Sequence, residues 1–209
     1  MIDTNTLASH GPVIPVIVLH RVEHAVPMAH ALLEGGVKVL EVTLRTSVAL
    51  RAIEAIAKAV PQAVLGAGTL RNAADVRAAR DAGCWFGVSP GYTRDIAAAC
   101  REAGLALLPG VATASEVMAA NADGLTFLKF FPAVPAGGVA LLKALHGPFP
   151  DVAFCPTGGL TPDNAPQFLA LPNVRVCGGS WLTPADAMEQ GDWARVTQLA
   201  RAAVALRKG

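Results

Sequence analysis

Four times along this chain an alanine-bearing stretch meets an acidic residue, then a glycine, then a short apolar run: "LLEGGVKVLEV", "ARDAGCWFGV", "CREAGLALLPG" and "NADGLTFLKF". The glycines are Gly36, Gly83, Gly104 and Gly124, and the last three are 21 and 20 residues apart. The 47 residues between Gly36 and Gly83 leave room for one more unit, which "KAVPQAVLGAG" fills, with Pro61 ending the helix in place of glycine. Glycine closes a helix cheaply because it adopts positive φ without a Cβ penalty. An apolar run with no polar alternation suits a parallel strand covered on both faces. Helix followed by strand, repeated, means βα units.

Eight strands are expected, starting near "VIPVIVL", "VKVLEVT", "AVLGAG", "CWFGVS", "LALLPG", "LTFLKFF", "VAFCPTG" and "VRVCGGS". Helices are expected at Glu23–Gly35, Ser47–Val60, Asn72–Ala82, Thr93–Ala103, Thr113–Ala122, Gly138–His146, Thr161–Leu171 and Asp192–Arg207. Thr93, Thr113 and "TPDN" at Thr161 carry helix-start chemistry. Eight units in 209 residues predict an α/β fold, a TIM (β/α)₈ barrel spanning residues 1–209 as one domain, with a short N-terminal helical extension. A doubly wound open sheet calls for fewer strands and a glycine-rich fingerprint after the first one, and "VIPVIVLHRVE" has none.

Composition narrows the function. The net charge is +1, from 17 Lys+Arg against 16 Asp+Glu, and no basic stripe appears, so nucleic acid is not the expected partner. The N-terminal "MIDTNTLASHGP" lacks a cationic segment and a long apolar one, so it does not read as a signal peptide. "VIPVIVL" falls far short of the ~20 apolar residues a membrane span needs, and a soluble, cytoplasmic protein is expected. Cys84, Cys100, Cys155 and Cys177 form no C-x-x-C pair and read as buried apolar residues of a reducing compartment. His20 and His24 lack the glutamate of the H-E-x-x-H zinc pattern.

In a (β/α)₈ barrel the chemistry sits at the C-terminal strand ends. There the chain places Glu41, Thr43 and Arg45 ("EVTLR"), Thr69 ("GAGT"), Ser89 and Pro90 ("VSPG") and Lys129 ("LKFFP"). Val39, Glu41 and Thr43 share one strand face, and Phe127, Lys129 and Phe131 share another. Parity alone does not say which face looks inward. Opposite charges in two buried strands are most economically paired across the barrel mouth. A structural ion pair satisfies that pattern too, though it stabilises weakly. Chemistry explains more: a desolvated lysine offers a free amine that forms a Schiff base with a carbonyl, and a neighbouring carboxylate can shuttle its protons. Arg45 offers a fork for a carboxylate, or is a solvated arginine at a helix start. "TGG" (Thr157–Gly159) and "GGS" (Gly178–Ser180) fall in the loops after strands seven and eight, the usual phosphate site of this fold. Their glycines let backbone N–H groups approach an anion, and a helix N-terminus adds its dipole.

"EVTLRT", "GAGT", "SPG", "KFFPA", "CPTGG" and "GGSW" occur in that order. Together they resemble the 2-keto-3-deoxy-6-phosphogluconate (KDPG) and 4-hydroxy-2-oxoglutarate (KHG) aldolases, class I enzymes working through a lysine Schiff base, over nearly the whole chain. The resemblance implies Lys129 as the Schiff-base lysine and Glu41 as general acid/base. It implies Arg45, Thr69, Pro90 and Phe131 around the pyruvate half, and Thr157 as the stereoselectivity position. Gly158, Gly159, Gly178, Gly179 and Ser180 would bind phosphate. It further implies a homotrimer that needs no cofactor and no metal, acting on a small phosphorylated keto acid. Rival expectations are an aldolase for the phosphogalactonate epimer, a metal-dependent pyruvate aldolase, and a non-catalytic barrel that binds phosphorylated metabolites.

Overall fold

The helix stop at Gly104 illustrates how the units are punctuated. Its φ of 63° is left-handed, and its N–H reaches back to the Cys100 and Arg101 carbonyls, ending the helix before the next strand. A side chain there would be strained, which is why glycine stands at the turn. The computed structural model describes residues 4–206. In chain order the strands are β1 (Val13–Ile17), β2 (Val39–Thr43), β3 (Val64–Gly68), β4 (Phe86–Val88), β5 (Ala106–Leu108), β6 (Gly110–Val111), β7 (Phe127–Phe130), β8 (Ala153–Pro156) and β9 (Cys177–Gly179). The α-helices are α1 (Ala25–Glu34), α2 (Ala49–Ala59), α3 (Ala73–Asp81), α4 (Arg94–Ala103), α5 (Ala114–Ala122), α6 (Gly138–His146), α7 (Ala165–Leu169), α8 (Ala185–Gln190) and α9 (Trp193–Val204).

β5 and β6 occupy one strand position, interrupted at Pro109, which has no N–H to give a ladder. The strands run in the order β5-β4-β3-β2-β1-β9 and β6-β7-β8, all pairs parallel. Parallel bridges from Phe154 to Val174 and from Thr157 to Gly178 join the β8 edge to the β9 side. The ring closes, and the expected barrel is the fold found.

The structure settles which face looks inward. Val39, Phe86, Val88, Leu108, Phe127 and Cys155 pack inside the ring, so their same-face neighbours Glu41 and Lys129 point inward as well. The alternate residues Leu40 and Val42 pack outward against Met28 and Leu32 of α1 and Ile53 and Ile56 of α2. Each such side chain contributes about 1.5–3 kcal/mol by leaving water. A 3-10 helix, Thr4–His10, places Leu7 in the inner cluster. Arg175, just before β9, donates to the Asn5 side-chain oxygen and ties that helix to the N-terminal end of the barrel.

Besides the split fifth strand, three C-terminal helices differ from expectation. Helix α7 starts at Ala165, not Thr161, because Thr161 and Asn164 bond each other across a preceding turn. Helix α8 is additional; its sequence "ADAMEQ" is too short to carry a clear helical period. The last helix starts at Trp193 on an Asp192 cap and runs to Val204, and the expected end at Arg207 lies outside the described residues.

Candidate active site

Strand β2 carries Glu41 and strand β7 carries Lys129 into the ring, with both side chains about 4% exposed. Lys129 Nζ lies 3.6 Å from Glu41 Oε1 and 5.0 Å from the centre of the Phe131 ring, whose face attracts a cation. Glu41 has room only because β3 presents Gly68 to it. A Cβ at Gly68 would run into Oε1 and come within 2.9 Å of the glutamate Cγ and Cδ. One strand residue earlier on that face, Gly66 makes room for the Phe86 ring. Among the described residues, Glu41 Oε1 is buried with no hydrogen-bond donor. A resident structural pair normally has its lone pairs satisfied, because an unmet one costs about 1–3 kcal/mol. The group facing this carboxylate oxygen is the Lys129 side-chain nitrogen, 3.6 Å away.

The walls are chemically quiet. Cys155, opposite Lys129 in the β7–β8 register, has its thiol pushed up to about 12 by burial, against the Thr157 hydroxyl and the Lys129 charge, which pull it down. It stays a neutral thiol at physiological pH. Thr43, which the sequence also placed at this strand end, donates its hydroxyl to the Ile17 carbonyl at 2.9 Å and serves the scaffold.

Above the pair, Arg45 Nε donates to Thr69 Oγ1 at 3.0 Å. Thr69 has φ 66°, the one non-glycine residue with positive φ among the described residues. A β-branched residue in the left-handed region costs on the order of 1–3 kcal/mol and persists only where its surroundings impose it. Here the strained backbone aims the hydroxyl at the guanidinium. Arg45 then lines a cavity of about 110 Å³ together with Val16, Phe131, Thr157, Gly158, Gly159, Leu160, Gly178, Gly179 and Ser180. The structure thus gathers most of the sequence-derived residues at one mouth. Glu41, Thr69, Pro90 and Lys129 lie outside the lining of this small cavity; Pro90 is exposed at the end of β4, and its carbonyl packs against Gly110.

The two glycine loops differ. Gly158 and Gly159 have φ of 100° and 79°, so a side chain at either would be strained. Gly178 and Gly179 lie in regular strand and are small for steric reasons: a Cβ would hit the Thr157 hydroxyl at the first and the Trp181 ring at the second. After the two glycine loops the next helices are α7, from Ala165, and α8, from Ala185. The steric roles of Gly66 and Gly68 escaped the sequence reading, though glycine at alternate positions in "LGAG" was a visible signal. Among the described residues no three His, Cys, Asp or Glu side chains come together as a metal site.

The family described as "Aldolase: KDPG and KHG aldolase" matches residues 4–199. The chain belongs to this family. It is 53% identical to the KHG/KDPG aldolase of Escherichia coli K12 over 97% of this chain and 95% of that one. It superposes with a TM-score of 0.95, at 43% identity, on a KDPG aldolase from Legionella pneumophila with pyruvate captured as a covalent carbinolamine, covering 97% of this chain and 98% of that chain. The KDPG aldolase of Zymomonas mobilis ZM4 with 3-phosphoglycerate gives 0.93 at 46% identity, covering 99% and 97%. The family's fold is the barrel described above, and no α-helix among the described residues is long and apolar enough to cross a membrane.

Proposed function

We propose that this member of the KDPG and KHG aldolase family cleaves KDPG to pyruvate and glyceraldehyde 3-phosphate, and also cleaves KHG. The observation that carries the reading is the buried Lys129–Glu41 pair, 3.6 Å apart inside the ring. The Legionella relative's carbinolamine supports the same chemistry. Glu41 takes a proton from Lys129, and the neutral amine attacks the C2 ketone to form a carbinolamine. Glu41 returns the proton to the C2 hydroxyl, which leaves as water, and a cationic imine remains. Glu41 then takes the C4 hydroxyl proton. The C4 oxygen's electron pair forms the aldehyde as the C3–C4 bond breaks, and the bonding pair flows into the imine to give an enamine. Protonation at C3 and addition of water release pyruvate and restore Lys129.

Arg45, fixed by Thr69, receives the substrate carboxylate as a forked, charge-assisted pair. Phe131 and Pro90 flank the pyruvate half, and Thr157, buried between Cys155 and Gly178, offers a hydroxyl to discriminate the substrate's stereochemistry. Gly158, Gly159, Gly178, Gly179 and Ser180 seat the phosphate; the cavity they line with Arg45 supports this, as does phosphoglycerate in the Zymomonas relative. The enzyme acts in the cytoplasm as a homotrimer. Exposed Trp85 (52%) and Met118 (62%) supply apolar surface for assembly, and sedimentation giving a monomer at micromolar concentration would refute the trimer. The activity is tested by coupling pyruvate release to lactate dehydrogenase with KDPG, its galacto epimer and KHG in parallel. Release from KDPG in excess of its epimer is expected, and no release from any of the three would overturn the reading.

A further inference from the structure

Three successive carbonyls in the loop after β8 are each held by a donor. The Ala133 N–H holds Thr157 O at 2.8 Å, and the Val134 N–H holds Gly158 O at 3.0 Å. Asn164 Nδ2 holds Gly159 O at 3.0 Å. In a planar trans peptide the C=O and the following residue's N–H point opposite ways. Fixing these carbonyls therefore turns the N–H groups of Gly158, Gly159 and Leu160 away from their clamps. All three residues line the cavity.

Two of the clamps are backbone and indifferent to side chain. The third depends on Asn164, whose amide cannot be turned around. Its Oδ1 accepts from the Thr161 N–H at 2.9 Å, so the NH₂ is the end that meets Gly159 O. The Asn164 N–H in turn donates to Thr161 Oγ1 at 3.3 Å, which closes the turn on itself. We propose that Asn164 is a positioning residue that turns the Leu160 N–H into a further phosphate donor, beside those of Gly158 and Gly159. Asn164 touches no reacting atom; it acts by holding one peptide plane. The "TPDN" motif thus carries more than helix-start chemistry, since its asparagine braces the loop.

This inference rests on the phosphate seat proposed above, and the experiment separates the two. Asn164→Ala removes the clamp without adding charge. The readouts are kcat/KM on KDPG and on KHG, which has no phosphate, and inhibition of KHG cleavage by glycerol 3-phosphate. The ratio of the two kcat/KM values should fall about tenfold, the scale of one hydrogen bond to a charged oxygen, and inhibition should weaken in parallel. Cleavage of KHG by the same sample reports that the barrel is folded. If the alanine variant does not fold, Asn164→Ser, which keeps a small polar group at the turn, is read in the same way. An unchanged ratio, or equal loss on both substrates, would overturn the role given to Asn164 while leaving the seat intact. A wild-type enzyme with no preference for KDPG and no inhibition by glycerol 3-phosphate would overturn the seat itself, and Asn164's role with it.

Discussion

An ammonium and a carboxylate 3.6 Å apart inside a barrel are poor stabilisers, since an apolar pair of similar volume is often neutral or better. The proposed mechanism gives the pair a catalytic use instead, and Glu41 is where that proposal is most exposed to test. Glu41→Gln keeps the shape and removes the base. Steady-state kinetics should show kcat reduced by roughly 10²–10⁴, the usual scale for general acid/base catalysis, with KM moved far less. Near-normal turnover would make the pair structural. The residue types were legible in advance: a lysine in "LTFLKFF" and a glutamate in "VKVLEVT" are conspicuous in apolar strands. Their direction was not, because a period of two leaves both faces open until the packing partners of Leu40 and Phe127 are known.

At the scale of the strand, β3 shapes the site by what it omits. Gly68 has no positive φ to justify it; it is small because Glu41 occupies its Cβ position. Gly68→Ala is predicted to push the carboxylate away from Lys129, lowering kcat at least tenfold, and to cost about 1–3 kcal/mol by overpacking. Turnover and thermal melting measured together check this, and a variant with both unchanged would show that Glu41 has another place to go. The repeat of helix, glycine and apolar run made the barrel readable, because each unit carries its own stop signal and its own buried strand. What stayed hidden depends on contacts distant in sequence. Gly66 answers to Phe86, Gly68 to Glu41 and Gly178 to Thr157. The break at Pro109 was foreshadowed by a proline that cannot donate to a ladder; α8, a six-residue helix, left too short a pattern to separate from α9.

The whole molecule keeps its four cysteines buried and free, which ties stability to alkaline pH. Burial pushes Cys84 and Cys155 from an ordinary 9.0 up to about 12 and Cys100 up to about 11. The native state therefore holds protons that the unfolded chain releases above its thiol pKa near 9.0. This contribution is complete below that pH and is lost as pH rises toward the native values. Replacing Cys84 by Ala should flatten the fall of Tm between about pH 9 and pH 11 relative to wild type; identical slopes would refute the linkage. The account's central claim is narrower: that Lys129 is the amine that bonds substrate. Treating the enzyme with pyruvate and borohydride should fix a pyruvate-derived group on Lys129. The modification blocks tryptic cleavage there and yields one labelled peptide running from Glu102 to Lys143. Label on Lys38, Lys58 or Lys143 itself, or no label at all with pyruvate bound, would contradict it.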